Sequence, residues 1–137
     1  MIYKFASVRF FSYPISLNPK TDKKGALISH QVSIVGQITP DQVPVIAENG
    51  FKTIINNRPD GEEPGQPTSA DIAAAAKKAG LAYKEISFAG SDLNQTHVED
   101  FADFFNQAEQ PVLIFCRSGA RSTGIYEAAK KMDLLDD

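Results

Sequence analysis

Residues 111–122 read Pro111-Val-Leu-Ile-Phe-Cys-Arg-Ser-Gly-Ala-Arg-Ser122. Pro111 breaks whatever precedes it, and Val112–Phe115 is the most apolar short run in the chain, the pattern of a buried strand. Ile125, Ala128, Ala129 and Met132 then recur at helical spacing. A buried strand therefore runs straight into a helix, and Cys116–Ser122 is the turn between them. Gly119 permits the tight bend.

Working outward, the same unit recurs upstream. Gln31–Val35 is short and β-branched, a strand. Thr39-Pro40-Asp41 starts a helix at about Asp41, with Val43, Ile46 and Ala47 on one face, and Asn49-Gly50 ends it. Phe51–Ile55 is a second strand. Asn56–Pro67 holds three prolines and two glycines and reads as a loop. Thr68 with Asp71 starts a helix carrying Ile72, Ala75, Ala76 and Ala79, and Gly80 stops it. Leu81–Ile86 is a third strand and Ser87–Gln95 a loop. Thr96 and Glu99 form a capping box for a helix whose inward stripe is Val98, Phe101, Ala102 and Phe105. Alternating strands and helices predict an α/β fold, a central, mainly parallel sheet with helices on both faces. Right-handed crossovers put the strand C-terminal ends on one edge, where ligands bind. Asn56–Pro67, Ser87–Gln95 and Cys116–Ser122 meet there.

The chain has 137 residues, 42% hydrophobic and 23% charged, the balance of one globular domain. No apolar run is long enough for a membrane span. The net charge is −3, without a basic cluster, which argues against a nucleic-acid partner. Residues 1–24 hold five basic side chains and one acid, net +4, and the remainder nine and sixteen, net −7. Phe5, Phe10, Phe11 and Tyr13 add aromatic character to the start, which lacks an apolar signal core and a small-x-small cleavage site. Residues 1–28 are expected to form a poorly ordered extension, and residues 29–137 a single domain. The single cysteine, Cys116, excludes an internal disulfide and points to a reducing, cytoplasmic setting. With two distant histidines it also excludes a thiolate zinc site; neither a metal nor a cofactor is expected.

Cys116 is placed where its chemistry changes. Backbone N–H groups of a tight strand-to-helix turn curl into an anion nest, and the positive end of the helix dipole adds to it. Arg121 supplies a fork for an oxyanion. Such surroundings drive a thiol toward thiolate. Arg117, Ser118, Gly119 and Ala120 complete the ring. Ser122 can donate to the sulfur when it leaves, or cap its own helix. Arg58, on the second loop, can close over the anion or pair with Asp60 or Glu62. His97 and His30 have no catalytic role.

Cys-Arg-Ser-Gly-x-Arg-Ser resembles the active-site loop of rhodanese-type sulfurtransferases. The wider pattern runs from Gly36-Gln-Ile-Thr39 through Lys52-Thr-Ile-Ile-Asn-Asn-Arg-Pro-Asp60 and Gly65-Gln-Pro67 to the cysteine loop. It resembles the bacterial beta-lactamase hydrolase-like, phosphatase-like domain family over about residues 31–132. That resemblance implies a fold like the dual-specificity and tyrosine phosphatases. It also implies a partnership, in fusion or alongside, with a metallo-β-lactamase-like persulfide dioxygenase.

The two resemblances imply different reactions. Cysteine phosphatases have Cys-x5-Arg with His before the cysteine; here the spacing is Cys-x4-Arg, and Phe115 replaces the His. A smaller ring suits one outer sulfur better than a phosphoryl group with three equatorial oxygens. The expectation is therefore sulfur transfer from thiosulfate or a persulfide to a thiol acceptor through a Cys116 persulfide. The alternative is phosphate-ester hydrolysis, with Asp92, 24 residues before Cys116, as general acid and Asp60 second. A third reading, from a different class, is a non-catalytic anion- or phosphoprotein-binding module.

Overall fold

A computed structural model describes residues 31–136 and, upstream, the backbone of three short strands. These strands are β1 (Phe10–Ser12), β2 (Lys20–Thr21) and β3 (Leu27–Ile28). The expectation of a poorly ordered extension over residues 1–28, and the reading of His30, otherwise lie outside the described residues.

The remaining elements follow in the expected alternation. They are β4 (Val32–Val35), α1 (Val43–Glu48), β5 (Thr53–Asn56), α2 (Ser69–Lys78), β6 (Ala82–Glu85), α3 (Gln95–Gln107), β7 (Val112–Phe115) and α4 (Ala120–Lys131). The sheet order is β1-β4-β7-β5-β6. β4, β7, β5 and β6 run parallel, and β1 pairs antiparallel with β4. β2 and β3 form a separate antiparallel ladder. The fold is thus the expected α/β class with a mainly parallel sheet.

Strand alternation sorts the core into two layers. Val32, Ile34, Ile55, Val112 and Ile114 face Phe101, Phe105, Ile125 and Tyr126 of α3 and α4. Val35, Ile54, Leu113 and Phe115 face Val43, Ile46, Ile72 and Ala76 of α1 and α2. β7, buried at all four residues, is sandwiched between both layers, which is why its sequence does not alternate. β6 lies at the sheet's end and is largely exposed.

The parallel register aligns the strand ends: Phe115 lies opposite both Val35 and Asn56, and Asn56 opposite Glu85. The three expected loops therefore leave the sheet side by side.

Three local readings change. The first helix does not begin at Asp41: Pro40–Gln42 forms a 3-10 turn, and α1 starts at Val43 with Pro44 in its first turn, where a missing N–H costs nothing. The third helix is capped by Asn94 and His97, not by Thr96 and Glu99. Asn94 Oδ1 accepts the His97 amide at 3.1 Å and His97 Nδ1 accepts the Asn94 amide at 3.2 Å. Asn is a strong N-cap, and imidazole fills the role usually given to Glu. Met132, expected as the last residue in the helical spacing, lies just past α4 as its C-cap and is 41% exposed. The core position passes to Leu135 as the chain turns back, with Asn106 donating to the Leu134 carbonyl at 2.9 Å.

Ile114→Ala, at the fully buried centre of the sheet, is expected to cost about 2–5 kcal/mol in urea unfolding. Met132→Ala is expected to stay within about 0.5 kcal/mol.

Candidate active site

Gly119 carries φ +96, a conformation natural only to glycine, and lets β7 turn into α4 within the Cys116–Ser122 loop. A second glycine makes room for that turn. A Cβ on Gly36 would lie 2.9 Å from the Arg117 carbonyl oxygen. The Gln37 amide donates to the same oxygen at 3.2 Å, pinning the loop to the end of β4. From β5, the Asn57 amide donates to the Phe115 carbonyl at 2.8 Å.

The pinned loop turns its amides onto the sulfur. Cys116 is 1% exposed. The Gly119 amide donates to Sγ at 3.0 Å. Burial by itself raises the thiol's pKa. The amides of Ser122, Ser118 and Gly119 oppose it, joined by the Ser122 hydroxyl when that turns to the sulfur, and the net shift is downward. Ala120 does not join the ring: its amide lies 3.4 Å from the Ser118 hydroxyl.

Ser122 is buried, and its hydroxyl donates to Asn57 Oδ1 at 2.8 Å. Asn57 in turn donates to the Ile86 carbonyl at 2.8 Å. A hydroxyl has one hydrogen. Ser122 can thus give it to Asn57 or to Sγ, but not to both. This hydrogen-bonding role, rather than capping of its own helix, is where the side chain is found.

Arg121 reaches out to the second loop. Its Nη1 and Nη2 each donate to a Glu62 carboxylate oxygen at 2.8 Å, and Nη1 also donates to the Phe88 carbonyl at 3.2 Å. Arg58, only 1% exposed, donates from Nε to Glu62 at 2.9 Å, from Nη2 to Glu63 at 3.0 Å and from Nη1 to Gln37 at 3.0 Å. Arg117 lies at the rim, 3.8 Å from Glu63. The charges thus alternate across the mouth, Arg117, Glu63, Arg58, Glu62, Arg121. The Arg121 hydrogen bonds, opposed by burial and aided by Arg58, pull the Glu62 carboxyl from 4.5 to about 2. Glu62 is therefore a carboxylate at any working pH. The pairing with Glu62, opposed by burial and aided by the nearby Cys116 sulfur, raises the pKa of Arg121.

Arg58, Glu62, Glu63, Gly90, Arg117 and Arg121 line an open cavity of about 670 Å³. Cys116, Ser118, Gly119, Ser122, Arg117, Arg121 and Arg58 are thus brought to one place. The two acid candidates are not. Asp92 is exposed on the turn where its amide donates to the Ala89 carbonyl at 2.8 Å, outside the cavity lining. Asp60 Oδ1 accepts the Ser69 amide at 2.8 Å and so caps the start of α2. His97 stacks on Phe88 with ring centroids 5.2 Å apart. Among the described residues no group of His, Cys, Asp and Glu could hold a metal ion. No described helix is long and apolar enough to cross a membrane.

Gly36, Asn57 and Glu63 join the site unforeseen, and Glu62, expected only as an alternative partner of Arg58, pairs with it and holds Arg121 as well. The signal for the acids was present in Arg58-Pro-Asp-Gly-Glu-Glu63, where two carboxylates follow an arginine that lands beside the cysteine loop.

A parallel sheet whose central strand delivers a buried cysteine into a ring of amides defines a phosphatase-like α/β domain. Residues 26–132 match the family described as Beta-lactamase hydrolase-like protein, phosphatase-like domain, and the chain belongs to that family. It is 36% identical over 110 residues to a beta-lactamase hydrolase-like protein of Agrobacterium fabrum (strain C58 / ATCC 33970), covering 80% of this chain and 26% of that protein. The chain spans about a quarter of the length of the curated relatives it matches. Among solved structures it is similar to a candidate phosphatase of Neisseria meningitidis Z2491. The TM-score is 0.69 and the identity 35%, over 74% of this chain and 72% of that one. A candidate phosphatase of Shewanella putrefaciens CN-32 shares the fold at TM-score 0.65 and 19% identity, over 77% and 67% of the two chains.

Gly36→Ala is expected to push the Arg117 carbonyl away and destabilise the domain by about 1–3 kcal/mol. It should also slow iodoacetamide labelling of Cys116 at about pH 6, where only a thiolate reacts well. Unchanged labelling and stability would show that the loop does not depend on this close approach.

Proposed function

We propose that this domain is a cysteine-dependent sulfurtransferase of phosphatase-like fold. The Cys116 thiolate attacks the outer sulfur of a persulfide or thiosulfate donor. The S–S bond breaks, and its electron pair leaves with the donor's inner group, as a thiolate or sulfite. The outer sulfur stays on Cys116 as a persulfide. An acceptor thiolate attacks that sulfur, and Cys116 departs as thiolate. The amides of Ser118, Gly119 and Ser122 steady the Cys116 sulfur whenever it carries charge. The Ser122 hydroxyl can turn from Asn57 to meet the departing sulfur. Arg121 and Arg117 hold the donor's anionic end, and Arg58 acts through the two glutamates it holds.

The observation that carries this reading is that the carboxyls near the cysteine loop are held by partners: Glu62 by Arg121 and Arg58, Glu63 by Arg58, and Asp60 by the Ser69 amide. Expelling an alkoxide from a phosphate ester calls for a proton donor. Glu62, in the cavity wall, stays ionised, Glu63 beside it is paired with Arg58, Asp60 is engaged as a helix cap, and Asp92 is exposed on its turn. Thiolate and sulfite leave without a proton, so these carboxyl positions suit sulfur transfer. The metallo-β-lactamase-like persulfide dioxygenase is the partner this reading implies, since both proteins would act on persulfide sulfur.

A second reading, phosphate-ester hydrolysis through a phosphocysteine, is favoured by membership of a phosphatase-like family. In that reading Asp92 would have to swing in as the acid. One experiment separates the two. The protein is incubated with thiosulfate or glutathione persulfide, and intact mass is measured. The expected result is a gain of one sulfur on Cys116, lost on adding a thiol and absent in Cys116→Ser. No adduct, together with aryl phosphate cleavage that needs both Cys116 and Asp92, would establish the phosphatase reading instead. A protein that neither takes up sulfur nor cleaves phosphate, yet retains anions at the loop, would be a binding module.

A further inference from the structure

Three guanidinium groups and two carboxylates line the cavity beside the cysteine loop, and one of them, Arg121, also interacts with the Cys116 sulfur. They leave a single positive charge, which the ionised sulfur cancels. Glu62 sits on Arg121 with both oxygens, at 2.8 Å each, and stays a carboxylate down to about pH 2. Glu63 holds Arg58 at 3.0 Å and lies 3.8 Å from Arg117. An incoming anion therefore meets a pocket whose charge is already almost balanced from within.

From this geometry we propose that Glu62, with Glu63, is a specificity-determining residue that discriminates by the charge of the ligand, cutting back the advantage that three guanidinium groups alone would give a dianion over monoanionic and neutral groups. The reason is electrostatic. Each carboxylate repels a ligand in proportion to the ligand's charge, so a dianion suffers twice the penalty of a monoanion at the same place. Among sulfur donors this disfavours thiosulfate, and among phosphoryl compounds it disfavours the dianionic monoester. The inference rests on the anion site of the proposed function but not on its reaction. It concerns occupancy of the cavity, whether or not sulfur is transferred.

Arg121 keeps part of its donor set for that ligand. Nη1 is committed to Glu62 and Phe88, and Nη2 gives one of its two hydrogens to Glu62. The Nε edge and the second Nη2 hydrogen are taken by neither Glu62 nor Phe88, and the guanidinium also hydrogen-bonds the Cys116 sulfur, so a ligand meets it beside that sulfur. Glu62 therefore reduces the charge that Arg121 presents while leaving one edge of its fork in place.

The test uses protection of Cys116 from iodoacetamide by nitrate and by sulfate, at one ionic strength so that screening is constant. Each rate is taken relative to the same variant without added anion. Glu62→Gln removes one negative charge. It is expected to improve nitrate protection about threefold and sulfate protection about tenfold, the sulfate factor being the square of the nitrate factor. Glu63→Gln makes no change at Arg121, yet should show the same square relation. It carries the test if Glu62→Gln does not fold. Sulfate protection that fails to improve, or improves no more than nitrate protection, would overturn the proposal and make Glu62 a residue that only positions Arg121. A Cys116 persulfide seen alongside that failure would leave the proposed function standing. A missing persulfide alongside the square relation would leave this inference standing.

Discussion

Backbone amides turned inward on one buried sulfur are the contact on which the rest of the site depends. Taking a thiol out of water favours its neutral form, and here burial is the largest single influence on Cys116. Only donors fixed in direction before ionisation can reverse that preference, because flexible groups would first have to be ordered. The amides of Ser118, Gly119 and Ser122 are fixed in that sense. Their directions follow from a positive φ at Gly119, from the docking of the Arg117 carbonyl against Gly36 and Gln37, and from the register that sets Phe115 between Val35 and Asn56. The apolar sheet thus acts on the chemistry by determining where three N–H bonds point.

Around that centre the charges are arranged to be held rather than free. Arg58 is buried to 1% exposure, yet each of its three guanidinium nitrogens donates to a partner, two of them on carboxylates. Losing one carboxylate partner of a buried charge is costly, which ties the Asn56–Pro67 loop to the site. The loop is closed further by Gln66, which donates to the Pro59 carbonyl at 2.8 Å and accepts the Glu62 amide at 3.0 Å. Glu62 is thereby presented to Arg121 by a loop with its own internal bonds, and the cavity keeps a nearly balanced charge.

Much of this was legible from residues alone. The run Val112–Phe115 followed by Cys116 and Gly119 announced a buried strand turning into a helix, and the strand–helix alternation gave a parallel sheet with its loops on one edge. The inward stripe of α3, Val98, Phe101, Ala102 and Phe105, is buried as its spacing required. What escaped was of two kinds. Caps and helix ends turn on one side chain's reach: nothing in the spacing told Asn94 and His97 from Thr96 and Glu99, or showed that α4 would stop at Met132. Contacts distant in sequence were hidden too. Asn57 meets Ser122 across 65 positions and Glu62 meets Arg121 across 59, and each depends on a strand register that composition and periodicity leave open.

The central claim is that the loop amides hold Cys116 as a thiolate in a site that buries it. The most direct measurement is the ultraviolet absorbance of the thiolate followed against pH, with Cys116→Ser as the blank for tyrosine. The account predicts half-ionisation below that of a free cysteine, about 8.5. Half-ionisation at or above that value would mean that burial outweighs the amides, and would contradict it.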